Sequence, residues 1–150
     1  MAALAEKMSG ASLLHFACHG SFDPNDPPAS GLLLADGMLR LRDLLDPDFA
    51  GLGRARLAVL FACQTAISDF RTLPDESIWL PAAFLRAGVP GVVGSLWSVA
   101  DHSTRLLVGR FYHYWLREEQ PPAQALAAAQ RWLRQPPGTN WARTTNPFCV

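Results

Sequence analysis

Two apolar runs that each end in a reactive side chain constrain this chain more than any other feature. Residues 13–18 are Leu-Leu-His-Phe-Ala-Cys and lead into His19, and residues 57–62 are Leu-Ala-Val-Leu-Phe-Ala and lead into Cys63. Short apolar runs without alternation predict strands buried on both faces, as in a parallel sheet covered by helices. Ligand chemistry gathers beyond the carboxyl ends of such strands. We therefore expect His19 and Cys63 to meet at one edge of a sheet.

The composition restricts the class of protein and its partners. The chain has 150 residues, 49% of them hydrophobic and 17% charged, which suits one globular domain with a real core. Its formal net charge is zero and it has no basic run, so neither nucleic acid nor a membrane is expected as a partner. Three cysteines cannot all pair within the chain, so we expect reduced thiols and a cytoplasmic protein.

Local patterns predict alternating strands and helices. Strands are expected at residues 12–17, 56–61 and 91–96, and helices at 42–45, 78–87, 101–118 and 123–134. Asp-Gly at 36–37 supports positive φ angles and so predicts a hairpin that joins 31–34 to 38–41. The proline-rich polar segment 21–29 predicts a rigid loop. Asp101 is the expected N-cap of its helix.

Several motifs occur in a characteristic order along the chain. They are Ala17-Cys18-His19-Gly20, Ser-Gly-Leu-Leu-Leu at 30–34 with Ala-Asp-Gly at 35–37, Phe-Ala-Cys-Gln-Thr-Ala at 61–66, Ala87-Gly88, Gly-Ser-Leu-Trp-Ser-Val at 94–99, and Asp-His-Ser-Thr at 101–104. Together they resemble the CHAT domain, a member of the caspase-like cysteine peptidases. The resemblance implies an α/β fold with a mostly parallel, caspase-like sheet flanked by helices. Relatives carry further strands, so we expect residues 1–150 to be one CHAT domain that is incomplete at its sheet edges, a fragment of a longer domain.

The resemblance also implies a function and three catalytic residues. Cys63 would be the nucleophile, His19 would protonate the leaving group, and the N–H of Gly20, with that of Cys63, would form an oxyanion hole. The chain would then be an endopeptidase that hydrolyses a protein or peptide substrate without a cofactor, in prokaryotic signalling or defence. A regulatory protein or a helical-repeat region would be its partner.

Substrate specificity depends on a second group of residues. Several relatives cleave after a basic residue that an acidic side chain holds, and Asp75 and Glu76 lie in the polar loop after the proposed nucleophile. Trp97 and Ser98 follow the third strand at the same sheet edge and are candidates to line the cleft. Each has a plainer interpretation, as a solvated loop charge or, for Trp97, as a core residue. Two acids in the loop after His19 are weaker candidates: Asp23 and Asp26.

Two other interpretations stay open at this point. One is a catalytically silent caspase-like module that only binds partners. The other is a zinc site formed by His15, Cys18, His19 and Cys63, which is disfavoured because a straight strand cannot aim three of these side chains at one ion. We therefore expect no bound metal. If the strand continues, the side chain of Cys18 should pack on the face opposite to Ala17 and His19, and His15 is expected in the core.

Overall fold

The structure is a computed structural model that describes residues 8, 10–21, 23, 25–46, 52–61, 79–95 and 99–134. The chain divides into two compact units, Met1–Ser98 and Val99–Val150. The elements of the first unit are, in chain order, β1 (Leu13–Phe16), β2 (His19–Ser21), β3 (Gly31–Leu34), β4 (Gly37–Arg40), α1 (Leu41–Leu45), β5 (Leu57–Leu60), α2 (Trp79–Arg86) and β6 (Val92–Gly94). Short 3-10 helices lie at Pro27–Ala29 and Leu52–Arg54.

A three-stranded parallel sheet lies at the centre of the first unit. Its strand order is β1-β5-β6, and both pairings are parallel. This confirms the three strands predicted from apolar runs and the α/β fold class. All four residues of β5 are buried, as a central strand requires, whereas β1 buries Leu14 and Phe16 and leaves His15 exposed. The alternation in β1 reflects its place at the edge of the described sheet.

Helices α1 and α2 belong to the same core as one face of this sheet. The ring of Phe84 in α2 is completely buried, and its centroid is 5.5 Å from that of Phe16 in β1. The core residues of the sheet and the two helices are Leu14, Phe16, Ala58, Leu60, Leu41, Leu44, Leu80, Ala83 and Phe84. Phe84→Ala would therefore leave a cavity that costs about 3–5 kcal/mol.

Strands β2, β3 and β4 form a separate antiparallel sheet. The β3–β4 hairpin confirms the Asp-Gly prediction, but neither Ala35 nor Asp36 has a positive φ angle; φ is +135° at Gly37 instead. Residue 41 was expected in the second strand and is instead the first residue of α1. That helix begins there because the carboxylate of Asp43 accepts the backbone N–H of Arg40 at 2.8 Å.

The second unit contains two longer helices, α3 (Asp101–Tyr112) and α4 (Pro122–Arg134), with one turn of π-helix at His113–Arg117 after α3. The N-cap prediction for Asp101 was wrong by one residue. Ala100 has an extended backbone and its C=O accepts the N–H of Thr104, so Asp101 lies in the first turn, where the helix dipole favours a negative charge.

The helices of the second unit are amphipathic, as their sequence spacing predicts. Leu107 and Phe111 are buried on α3, and Ala125, Ala129 and Leu133 are buried on α4. The guanidinium of Arg110 lies 4.2 Å from the ring centroid of Trp132, a cation–π contact between the two helices. Among the described helices, none has the length and apolarity that a membrane crossing requires.

The hairpin yields a prediction about glycine. A Cβ on Gly31 would collide with the carbonyl oxygen of Leu39 and lie 2.8 Å from the Cα of Arg40, so Gly31→Ala must separate β3 from β4. We expect the free energy of unfolding to fall by about 3 kcal/mol, measured by urea denaturation. Gly37→Ala, which meets no neighbour but has a positive φ, should cost about 1 kcal/mol.

Gly109→Ala is the matched control for this experiment. Gly109 lies inside α3 with open space around its Cα, so the added methyl group should raise stability by up to about 1 kcal/mol. Equal effects of Gly31→Ala and Gly109→Ala would contradict the close approach of β3 and β4.

Candidate active site

Three parallel strands end level at one edge of the central sheet. Phe16 of β1 pairs with Leu60 of β5, which pairs with Gly94 of β6. The pairing of β1 with β5 extends one residue beyond the end of β5, because the N–H of Phe61 donates to the C=O of Phe16 at 3.0 Å. The segments that follow all three strands therefore leave the sheet at the same edge.

The segment after β1 brings His19 into the antiparallel sheet. His19 is the first residue of β2, three residues after Phe16, and its side chain is exposed. Ala17 is also exposed, whereas Cys18 packs against the apolar core of the first unit. Cys18 is thus the packed neighbour that the sequence predicted, although residues 17 and 18 lie between β1 and β2 and not in a continuous strand. The short strand itself was not expected, because the sequence predicted a loop from residue 21.

The backbone of Gly20 points away from strand β3. The N–H of Leu41 donates to the C=O of Ser30, which fixes the alternation of the β3–β4 ladder. By that alternation, the backbone N–H and C=O of Leu32 are directed toward β4, and those of Leu33 are directed toward β2. Gly20 lies opposite Leu32, so its N–H and C=O face away from β3, beyond the edge of this sheet.

His15 is not the core residue that the sequence predicted. It lies on the face of β1 opposite to Leu14 and Phe16, and its side chain is exposed. The centroid of its ring is 6.0 Å from that of Phe61, and partial burial lowers the pKa of His15. The error arises because β1 buries only one of its faces, while the apolar run suggested two.

Cys18 has the properties of a structural thiol. It is half-buried against the core, and this burial raises the pKa of its thiol. Fewer thiolates at neutral pH make it a poorer nucleophile and a poorer metal ligand than an ordinary cysteine. No group of three or more potential metal ligands lies together within the described parts of the chain.

The acids that follow His19 have structural partners. The carboxylate of Asp23 accepts the N–H of Asn25 at 2.9 Å and that of Asp26 at 3.3 Å, and the hydroxyl of Ser30 accepts the N–H of Asp23. Asp26 forms an exposed ion pair with Arg42 at 3.9 Å. These contacts hold the loop in shape, so both acids have a structural role that does not involve a substrate.

The remaining site residues of the sequence analysis lie outside the described part of the chain, and their roles stay predictions. They are Cys63, Asp75, Glu76, Trp97 and Ser98. Sequence reasoning did not single out Leu33, which is the register partner of His19 in β3 and is exposed. Three successive leucines at 32–34 hide the alternation that would have marked the middle one as outward-facing.

A family model for the CHAT domain matches residues 1–148 of this chain. The chain belongs to the CHAT domain family. The family is related to the caspase-like cysteine peptidases, and the parallel sheet with its helices is consistent with part of a caspase-like fold. No curated protein sequence matches the chain significantly.

The environment of Cys18 predicts its reactivity in this CHAT domain. Because burial raises its thiol pKa, we expect Cys18 to react with iodoacetamide at pH 7 more slowly than a free cysteine peptide. The rate should rise with pH as the thiolate fraction grows, and it should reach its plateau at a higher pH than that of the free peptide. Peptide mapping by mass spectrometry over time measures this rate. Alkylation at pH 7 as fast as the free peptide would contradict the burial of Cys18.

Proposed function

We propose that this CHAT domain is a cysteine endopeptidase that hydrolyses peptide bonds of a protein or peptide substrate. Cys63 is the nucleophile, His19 is the acid and base, and the N–H of Gly20 helps to bind the oxyanion. Membership of a caspase-like family supports the reaction class. A role in prokaryotic signalling or defence, with a regulatory protein or helical-repeat region as partner, and a cytoplasmic location belong to the same proposal.

The pairing of β1 with β5 is the observation that carries this proposal. Phe16 and Leu60 are register partners, and each is followed three residues later by a proposed catalytic residue, His19 or Cys63. Adjacent strands lie about 4.8 Å apart, and three residues span at most roughly 10 Å. The lengths of the two segments after Phe16 and Leu60 are therefore compatible with the meeting of the two side chains that this proposal requires. The exposure of His19 leaves its ring accessible to a substrate.

The orientation of Gly20 supports the oxyanion role. An oxyanion hole needs an N–H group that is not used by a neighbouring strand, and the Gly20 amide faces away from β3. Glycine at this position has no side chain to obstruct a substrate carbonyl group. One such donor typically contributes about 2.7–4 kcal/mol to transition-state stabilisation.

The reaction follows from these roles. The thiolate of Cys63 attacks the scissile carbonyl carbon, and the carbonyl oxygen becomes an oxyanion next to the Gly20 N–H. When the oxyanion collapses, the C–N bond breaks, and the nitrogen keeps the electron pair and takes a proton from the imidazolium of His19. His19 then removes a proton from water as the water oxygen attacks the thioester carbon. The C–S bond breaks with its electron pair on sulfur, which releases the acid and restores the Cys63 thiolate and the His19 imidazolium.

The residues proposed to bind substrate determine which peptide is cut. Asp75 and Glu76 would hold a basic side chain on the acyl side of the scissile bond by charge pairing. Trp97 would offer an apolar wall and Ser98 a hydrogen-bonding group at the end of β6, beside the other two strand ends. The structural contacts of Asp23 and Asp26 leave the later pair of acids as the better candidates.

Substitution of the two catalytic residues tests the proposal. Cys63→Ala should abolish cleavage, and His19→Ala should reduce kcat/KM by about 10²- to 10⁴-fold because the leaving nitrogen loses its proton donor. The first measurement is the rate of peptide cleavage. The second is the labelling of Cys63, mapped by mass spectrometry, by peptide electrophiles that carry a basic, acidic or apolar residue at P1, the residue on the acyl side of the scissile bond.

Matched controls come from the neighbouring residues. Cys18→Ala removes a thiol from the segment after β1, and His15→Ala removes an imidazole from β1 itself. Both variants should retain cleavage, because neither residue has a proposed catalytic role. Proteolysis that persists in a clean Cys63→Ala preparation would overturn the proposal. A folded protein that neither cleaves peptides nor labels at Cys63 would favour the silent interaction module instead.

Acyl-side specificity gives a separate prediction. Asp75→Asn and Glu76→Gln keep the side-chain shape and remove the charge, so at least one should lower kcat/KM for a peptide with arginine before the scissile bond by about tenfold or more. A cleavage profile measured with a peptide library would detect the shift. If both variants keep the profile of the unmodified protein, neither acid binds the substrate.

A further inference from the structure

Leu33 stands beside His19 on one face of the antiparallel sheet. The two residues are register partners of β2 and β3, and the alternation fixed by the Ser30–Leu41 bond makes them a hydrogen-bonded pair. Directly opposed side chains project from the same face with Cβ atoms roughly 5 Å apart. The side chain of Leu33 is 51% exposed.

The two faces of this sheet have opposite environments. Leu32 and Leu39 are completely buried and belong to the core, which makes theirs the inner face. Leu33 belongs to the outer face, and its partner in β4 on that face is Met38, which is half-buried. His19, Leu33 and Met38 thus form one row across three strands. A single exposed leucine is ordinary, but this one adjoins the proposed proton donor.

We propose that Leu33, with Met38 behind it, contacts the substrate residue on the leaving-group side of the scissile bond and favours an apolar side chain there. The inference rests on the proposed function, because it takes His19 as the group that protonates the leaving nitrogen. It names a determinant of specificity on the side of the scissile bond opposite to Asp75 and Glu76.

The position of the leaving nitrogen connects His19 to Leu33. To receive the proton, this nitrogen must lie about 2.6–3.2 Å from an imidazole nitrogen. Its Cα is one bond of about 1.46 Å further away, so the side chain of the leaving residue begins within a few ångströms of the His19 ring. Leu33 is the directly opposed neighbour of His19 on that face, so the two side chains are brought together.

The chemistry of this surface favours one class of leaving residue. An apolar side chain that covers the exposed half of Leu33 removes apolar area of both partners from water. Met38 adds an unbranched and polarisable side chain that can adapt to different shapes. A charged leaving residue would instead lose hydration against Leu33 and Met38, neither of which offers a charged or hydrogen-bonding partner.

Peptides that differ only at the leaving residue test the inference. Quenched fluorescent peptides would share one acyl side and carry Leu, Phe, Ser or Asp as the leaving residue, and kcat/KM would be measured for each. We expect the unmodified protein to prefer Leu or Phe over Ser or Asp by about tenfold. In Leu33→Ala this ratio should fall to about threefold or less, and in Leu33→Met it should be retained.

Leu85→Ala is the matched control variant. Leu85 is 50% exposed on α2 and loses the same atoms, so this variant should keep the unmodified protein's ratio. Thermal unfolding would verify that each variant is folded. Because the ratio in the unmodified protein is informative by itself, the test does not depend on Leu33→Ala being stable.

The possible outcomes separate this inference from the proposed function. Cleavage of all four peptides at similar rates, or a ratio that persists in Leu33→Ala, would overturn the role of Leu33 and leave the peptidase intact. Failure to cleave any peptide, together with no labelling of Cys63 by electrophiles, would overturn the peptidase itself and with it this inference.

Discussion

The parallel pairing of β1 with β5 is the constraint on which the candidate site depends. Each strand supplies an apolar segment that must be paired and covered, and the pairing of Phe16 with Leu60 brings both strand ends to one level. A slip of β1 by one residue against β5 would turn Phe16 from the core face to the opposite face. The register that buries Phe16 is thus the same register that sets the ends of β1 and β5 side by side, as the proposed function requires.

The antiparallel sheet connects the core to the candidate site through its two faces. Leu32 and Leu39 hold its inner face in the core, and this burial fixes which residues face outward. His19 must then stand on the outer face, and the Gly20 amide must point beyond the sheet edge. The imidazole of His19 and the backbone N–H of Gly20 are therefore oriented by apolar packing on the other side of the same strands, and no polar group of the candidate site is needed for this packing.

Much of this fold could be predicted from the sequence because its strongest signals are local. Apolar runs marked the three parallel strands, and Asp-Gly marked the hairpin. The failures concern features that depend on neighbours: β2 exists only because β3 pairs with it, and the exposure of His15 depends on which face of β1 is covered. Leu33 was missed for the same reason, since the outward position among successive leucines is set by pairing with the neighbouring strands.

The same geometry bears on which residue the proposed function can use as a nucleophile beside His19. Cys18 is adjacent in sequence, yet it packs against the core, and burial raises the pKa of its thiol. Two other strands end level with β1. After β6 the residues at 95–98 offer only the hydroxyl groups of two serines, whereas after β5 the chain offers a thiol at position 63. A thiol near neutral pH already holds a few per cent thiolate, while a hydroxyl needs a base to deprotonate it. The proposed function therefore assigns the role of nucleophile to Cys63 rather than to either serine.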